Sequence, residues 1–319
     1  MRAPGTLEQV VLVPRNGLGN RLQAWASAAI LAAQWDVPLK VMWEPEPPAP
    51  AEADVLFTPE ARHSSFVSRG WLDNLLGCAH ENLPRYLTVL DSRRTVILAG
   101  HDRGEHVFMA DLPSALSDAS QPHSLVIIAG GLFHVPSTED FVLQRTHFYR
   151  ALPWHQALLT CAQAQIDLQA PYCALHIRQT DRSVEAPSRR TIRLGLKSLA
   201  RSVPERGLFI AADTSEGREV WAQHARQLGF APWHSGEITF DRTDAAGTVN
   251  AAMDWILLSR ATALAYPAAS TFSAEAAVAS GSIAISISMK ATQRLQQTRM
   301  WRMHGHNALT YPARRHWRR

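Results

Sequence analysis

Short runs of apolar residues alternate along the chain with longer stretches whose apolar positions recur every three to four residues. The short runs fall at 9–14, 38–43, 95–99, 124–129, 172–177, 207–213, 262–266 and 283–287. They lack the apolar/polar alternation of a half-exposed strand, so they predict strands buried on both faces, as in parallel sheets. The longer stretches predict helices at 21–35, 154–167, 191–203, 216–228, 248–260 and 271–280. In the first, Leu22, Trp25, Ala29 and Ala33 share one expected buried face. In the fifth, Val249, Met253, Ile256 and Leu257 do so. Strand and helix alternate in both halves of the chain, which predicts an α/β protein built from doubly wound parallel sheets.

Composition sets the scale. The chain has 319 residues, of which 46% are hydrophobic and 19% charged, enough for two medium globular domains and too apolar for extensive disorder. A boundary is expected between Thr146 and Trp154, giving domains at 1–150 and 151–290 and a basic segment at 291–319. The net charge is +4, with much of the excess in the tail Ala313-Arg314-Arg315-His316-Trp317-Arg318-Arg319. Such a tail reads first as a solvated terminus and second as a peripheral contact with an anionic membrane. No nucleic-acid-binding module accompanies it, so nucleic acid is not an expected partner. Cys78, Cys161 and Cys173 have no paired spacing, which suits a reducing cytoplasm and argues against a disulfide scaffold or a zinc site. The N-terminus lacks a secretory apolar run, and the Ala-rich stretch 24–35 is too short to span a bilayer. A cytoplasmic protein, at most peripheral to the membrane, is expected.

Candidate chemistry gathers just past the strand ends, where α/β proteins bind ligands. His176 and Arg178 share a face at the end of one strand, and Asp181 and Arg182 follow. Asp213 ends the next strand. Ser270, Thr271, Phe272 and Ser273 open a helix, where free N–H groups favour an anion. Each has a plainer reading: an ion pair for Arg178 and Asp181, helix capping for Asp213 and Ser270. Near the N-terminus, Gly17-Leu18-Gly19-Asn20-Arg21 forms a glycine loop before a helix, suited to a phosphate or merely to a turn. It lacks the third glycine of a dinucleotide fingerprint and the Lys of a P-loop. His101-Asp102-Arg103 and Gly130-Gly131 follow two further strands, but isolated His101 and His134 carry no clear chemistry. The proline-rich stretch 44–54 reads as an exposed extended connection, or part of an acceptor-side rim. No His, Cys, Asp or Glu spacing calls for a metal.

Taken together, these segments resemble a family. His176-Ile177-Arg178-Gln179-Thr180-Asp181-Arg182 is similar to the His-x-Arg-Arg-Thr-Asp-Lys motif of the α1,6-fucosyltransferase superfamily, which includes nodulation and core fucosyltransferases and, distantly, protein O-fucosyltransferases. Phe209-Ile210-Ala211-Ala212-Asp213-Thr214 resembles its second motif. The stretch 254–273, with Asp254, Leu258-Ser259 and Ser270-Thr271-Phe272-Ser273, resembles its third. The glycine loop at 17–21 is similar to the N-terminal loop of related transferases. Gln179 and Arg182 stand where many members carry Arg and Lys.

The resemblance implies a GT-B fold of two Rossmann-like domains facing a cleft, with the C-terminal segment packing back on the first. It implies GDP-fucose as donor substrate, no cofactor or metal, and inversion at the anomeric carbon. The acceptor would be a glycan, a lipid-linked glycan or a small molecule, as in polysaccharide biosynthesis. Carried over by position, Arg178 would hold the diphosphate, His176 and Asp213 the guanine, and residues 270–273 the phosphates. Gly17, Gly19, Asn20 and Arg21 would contact the donor. Glu185 lies near the place of a catalytic glutamate and is the expected base, with Asp181 as the other candidate. A different GDP- or NDP-sugar, or nucleotide or glycan binding without catalysis, would also fit these motifs.

Overall fold

The computed structural model describes residues 5–59, 64–80, 87–90, 94–99, 116–117, 119, 121–133, 135, 141–178, 188–236, 241–267, 270–281 and 283–287. The chain divides into two compact units: Met1–His155 with Arg242–Thr248, and Gln156–Asp241 with Val249–Arg319. Each has its own sheet, so the fold is α/β with two Rossmann-like units, as the GT-B resemblance implies.

The first unit carries six strands: β1 (Gln9–Pro14), β2 (Leu39–Val41), β3 (Ser64–Phe66), β4 (Leu87–Leu90), β5 (Thr95–Ala99) and β6 (Ser124–Ala129), in the order β3-β2-β1-β6-β5-β4. All pairings are parallel except β4 with β5. β3 and β4 lie at the two edges, and neither was expected from the apolar pattern. A three-residue strand containing Ser64 and Ser65 leaves no hydrophobic run to read. The helix Leu18–Trp35 begins earlier than expected, so Gly19, Asn20 and Arg21 sit in its first turn and not in a loop. Its expected buried face is also wrong in part. Ala33 is exposed, whereas Ala24, Ala26, Ala28 and Ile30 are buried. Small residues all around the helix allow close packing on several sides and leave the periodicity without a phase.

The proline-rich stretch is exposed at Pro45, Pro47, Pro48, Glu52 and Asp54, as the sequence suggests, but it is anchored at several points. Trp43, Ala49 and Ala51 are buried. Arg21, itself fully buried, draws the stretch inward. Its Nε donates to the Asn16 carbonyl at 2.7 Å, while Nη1 and Nη2 donate to the carbonyls of Glu44 and Glu46. The guanidinium lies 4.9 Å from the centre of the Trp43 ring, within cation–π range. Burial lowers its pKa to about 10 against the opposing pull of Glu46, which leaves it protonated at neutral pH.

The second unit carries β7 (Tyr172–Ile177), β8 (Gly207–Ala212), β9 (Ala231–Trp233), β10 (Ala263–Pro267) and β11 (Ile283–Ile287), in the order β11-β10-β7-β8-β9. Every pairing is parallel. Every residue of β7 is buried. Cys173, Leu175 and Ile177 pack with Ile192, Leu196, Leu199 and Trp221 from the helices Arg189–Ser202 and Ser215–Gln227. Burial pushes the Cys173 thiol up to about 12, so it behaves as a small hydrophobe. On the other face, the Tyr172 hydroxyl donates to the Leu257 carbonyl at 2.7 Å, and its ring meets Trp233 edge-on. The helix Ala245–Arg260 therefore covers that side. Cover on both faces explains why β7 reads as an unbroken apolar run.

Replacing Arg21 with Met keeps an unbranched stem, removes the guanidinium and strands three backbone carbonyls. Arg21→Met should cost about 3 kcal/mol in urea unfolding; a loss no larger than that of an ordinary surface substitution would show that the carbonyl contacts do not hold the loop.

Candidate functional site

The three strand ends singled out in the second half of the sequence belong to neighbouring strands. β7 lies between β10 and β8. The register pairs His176 with Ala211 and Ile177 with Ala212. Arg178 and Asp213 are therefore the next residues on adjacent strands, with backbones about 5 Å apart. Both are half-buried. Asp213 is not needed as a helix cap, because Thr214 fills that position and its hydroxyl accepts from the Gly217 N–H at 3.0 Å.

On the other side of β7, β10 leads to the helix Thr271–Ser280. Ser270 is its N-cap and accepts from the Ser273 N–H at 3.5 Å. Ser273 Oγ lies 2.9 Å from His176 Nδ1, and one hydrogen serves the pair. The Phe272 ring stands 5.4 Å from the imidazole. Ser270, Ser273 and His176 are all buried. The end of β7 is thus tied to a helix start, and a guanidinium follows two residues later. The first N–H groups of a helix have no partners within it, so this edge offers positive potential from Arg178 and from the helix dipole. Asp181, Arg182 and Glu185 fall in 179–187, outside the described residues.

In the first unit the glycine loop follows β1. Gly17 is the N-cap of Leu18–Trp35 and has an ordinary φ of −68°. A Cβ there would lie 3.7 Å from Pro48, a normal contact. The turn therefore does not demand glycine at 17; the left-handed residue is Asn16, with φ 67°, whose side chain donates to the Gly130 carbonyl. Gly19 is buried and Asn20 half-buried in the first helical turn. Arg21 turns its nitrogens to carbonyls of its own unit, and that role differs from the expected donor contact. His101-Asp102-Arg103 and His134 lie outside the described residues.

Two features were not foreseen. The first is a charge cluster at the ends of β1 and β2. Arg15 pairs with Glu44 and Glu46, and Arg69 lies 3.7 Å from Glu44. The buried His80 ring meets Asp73 at 2.9 Å and Glu44 at 3.5 Å. Its side-chain and backbone hydrogen bonds hold the Asp73 carboxyl below its usual range. These residues are scattered over the sequence and share no spacing that could be read. The second is the environment of Asp254, in the middle of the helix Ala245–Arg260, a residue the sequence singled out only as part of the third motif and without a role. Asp254 accepts from the Ser235 hydroxyl at 2.7 Å, just past the end of β9 and so at the same sheet edge as Arg178 and Asp213. Desolvation raises its pKa to about 7, against the hydrogen bond from Ser235 and the charge of Arg218. A lone carboxylate in the run Met253-Asp254-Trp255-Ile256-Leu257-Leu258 was the available signal. Among the described residues, no three His, Cys, Asp or Glu side chains are grouped so as to hold a metal ion.

No family model and no curated protein matches the chain. Solved structures do. The NodZ α-1,6-fucosyltransferase soaked with GDP-fucose superposes with a TM-score of 0.58 at 14% identity, over 88% of this chain and 94% of that one; NodZ is also solved from Bradyrhizobium. A mutant of Arabidopsis thaliana FUT1 in complex with GDP gives 0.61 at 15% identity, over 90% of this chain and 71% of that one. POFUT1 in complex with GDP gives 0.50 at 13% identity, over 90% and 98%. The chain thus shares its fold with fucosyltransferases of the GT-B type.

The raised pKa of Asp254 has a definite sign. The folded carboxyl keeps its proton to about 7, while an ordinary aspartate loses its proton near 3.8. Folding takes up a proton between these values, so this group's contribution is complete below about pH 4, declines as pH rises and is gone above about pH 7. Asp254→Asn should gain stability over the parent across that window, reaching about 2 kcal/mol at pH 8. Urea melts at pH 5 and pH 8 check this; an equal difference at both would contradict it.

Proposed function

We propose that the protein is an inverting, metal-independent glycosyltransferase that moves fucose from GDP-fucose to a hydroxyl of a glycan, lipid-linked glycan or small-molecule acceptor. One observation carries the reading: His176 with Ser273, Arg178 and Asp213 lie at the ends of three adjacent parallel strands, in a fold shared with proteins solved with GDP or GDP-fucose. A nucleoside diphosphate has matching chemistry. Its phosphates suit a guanidinium and a helix start, and its base and ribose suit an imidazole and a carboxylate.

In this reading the acceptor oxygen attacks the anomeric carbon as the bond from that carbon to the β-phosphate oxygen breaks. GDP leaves with the electron pair, and the acceptor proton passes to a base. Glu185 is the proposed base, and Asp181 orients Arg178. Negative charge grows on the departing phosphate, and Arg178 with the helix start at 270–273 meets it. Gly17, Gly19 and Asn20 are proposed as further donor contacts. Arg21 supports them by holding the loop.

Purified protein incubated with GDP-fucose, GDP-mannose and UDP-glucose, each with a panel of oligosaccharide acceptors, tests the proposal by mass spectrometry of the products. A deoxyhexose added only from GDP-fucose, with turnover unchanged by EDTA, is expected. Transfer from another donor would replace fucose in this reading, EDTA sensitivity would remove the metal-free mechanism, and GDP binding without any transfer would leave a binding protein.

A further inference from the structure

The helix Arg189–Ser202 carries Arg189, Arg190, Arg193, Lys197 and Arg201 and no acidic residue. All five cations are exposed. Among the described residues none of their side chains forms an ion pair or a hydrogen bond. At 100° per residue, Arg190, Arg193, Leu194, Lys197 and Arg201 fall within an arc of about 100° and run for about 16 Å along the helix. Ile192, Leu196 and Leu199 point the opposite way, into the core. Gly195 lies so close to β11 that a Cβ there would stand 2.8 Å from Ile287. The helix is therefore fixed in rotation, and its basic stripe faces solvent. Leu194, along one edge of that stripe, is 57% exposed.

Helix stability does not account for this pattern. Arg189 with Arg193, Arg193 with Lys197 and Lys197 with Arg201 are like-charge pairs four residues apart, each unfavourable. Arg189 and Arg190 sit in the first turn, where the dipole disfavours cations, and that turn has no acidic residue. Nor is one sign the rule on this face of the sheet. The neighbouring helix Ser215–Gln227 mixes Glu216, Arg218, Glu219 and Arg226, and pairs Arg226 with Glu219 at 3.2 Å. No described acidic residue balances the stripe, so its charge is open to an anionic partner. A partner that also gives Leu194 an apolar place is an interface of anionic headgroups over acyl chains. Nucleic acid offers the charge but no such place, and the stripe has no aromatic side chain on which bases would stack.

We propose that the helix Arg189–Ser202 docks the protein on an anionic phospholipid surface. The contact is interfacial, since no helix among the described residues is long and apolar enough to cross a membrane.

Flotation of the full chain with vesicles tests it. Phosphatidylcholine vesicles containing phosphatidylglycerol should carry the protein upward, and pure phosphatidylcholine vesicles should not. Binding should weaken as salt rises. The quadruple variant R190E/R193E/K197E/R201E, with the tail intact, should partition at least about a hundredfold less and melt no lower than the parent. A neutral version, R190Q/R193Q/K197Q/R201Q, guards against misfolding of the reversed one and should show the same loss. Leu194→Ser should weaken binding several-fold at unchanged charge. Undiminished vesicle binding by a folded charge variant would overturn the proposal, as would indifference of the parent to phosphatidylglycerol. Retention of the parent on duplex DNA but not on vesicles would also overturn it.

Discussion

A strand buried on both faces and paired on both edges must be apolar until it ends, and in a parallel sheet all such strands end at the same edge. β7 meets both conditions: all six of its residues are buried, and β10 and β8 flank it. Polar side chains that would be intolerable one or two residues earlier therefore collect past its end and past its neighbours' ends. His176 is the transitional case, still in the strand and buried, and made acceptable by its hydrogen bond to Ser273. Arg178 and Asp213 follow where the pairing stops. The site is in this sense a consequence of parallel pairing, which delivers residues far apart in sequence to one line without any loop having to fold back.

Arg21, in the first turn of a helix, and Arg178, just past β7, show how environment divides one residue type between tasks. Arg21 is enclosed, its nitrogens are directed to backbone carbonyls, and its charge survives because those carbonyls replace water. It cements the loop after β1 to the stretch after β2. Arg178 is only half-buried and follows β7, whose end the His176–Ser273 contact ties to a helix start. The same side chain serves as a structural rivet in one unit and as the proposed diphosphate contact in the other.

Much of the second unit was legible because its strands are long, doubly covered and free of polar interruption. The bounds of β7, β11 and the helix Thr271–Ser280 follow from the apolar runs and from Ser270 and Gly281 as punctuation. β3, β4 and β9 were not legible, since three or four residues at a sheet edge bury too little to leave a pattern. Motif reading found the groups around β7 because each lies at a strand terminus. It misjudged Arg21, because spacing alone does not distinguish a guanidinium facing carbonyls from one facing a phosphate. It read 44–54 as exposed, which holds for Pro45, Pro47, Pro48, Glu52 and Asp54, but it gave no sign that Arg15, Arg21 and Arg69 hold the start of that stretch against the unit. The Asp73–His80–Glu44 contacts and the Asp254–Ser235 bond depend on tertiary proximity between elements, which no local pattern encodes.

The account stands or falls on whether the edge formed by β10, β7 and β8 holds a nucleoside diphosphate. Calorimetric titration of GDP into the parent protein and into Arg178→Ala tests this most directly. The parent should bind GDP, and the variant should bind at least about a hundredfold more weakly while melting at a similar temperature, as expected for loss of a charge-assisted phosphate contact. Equal affinities in two folded proteins, or no heat from the parent at all, would contradict the assignment.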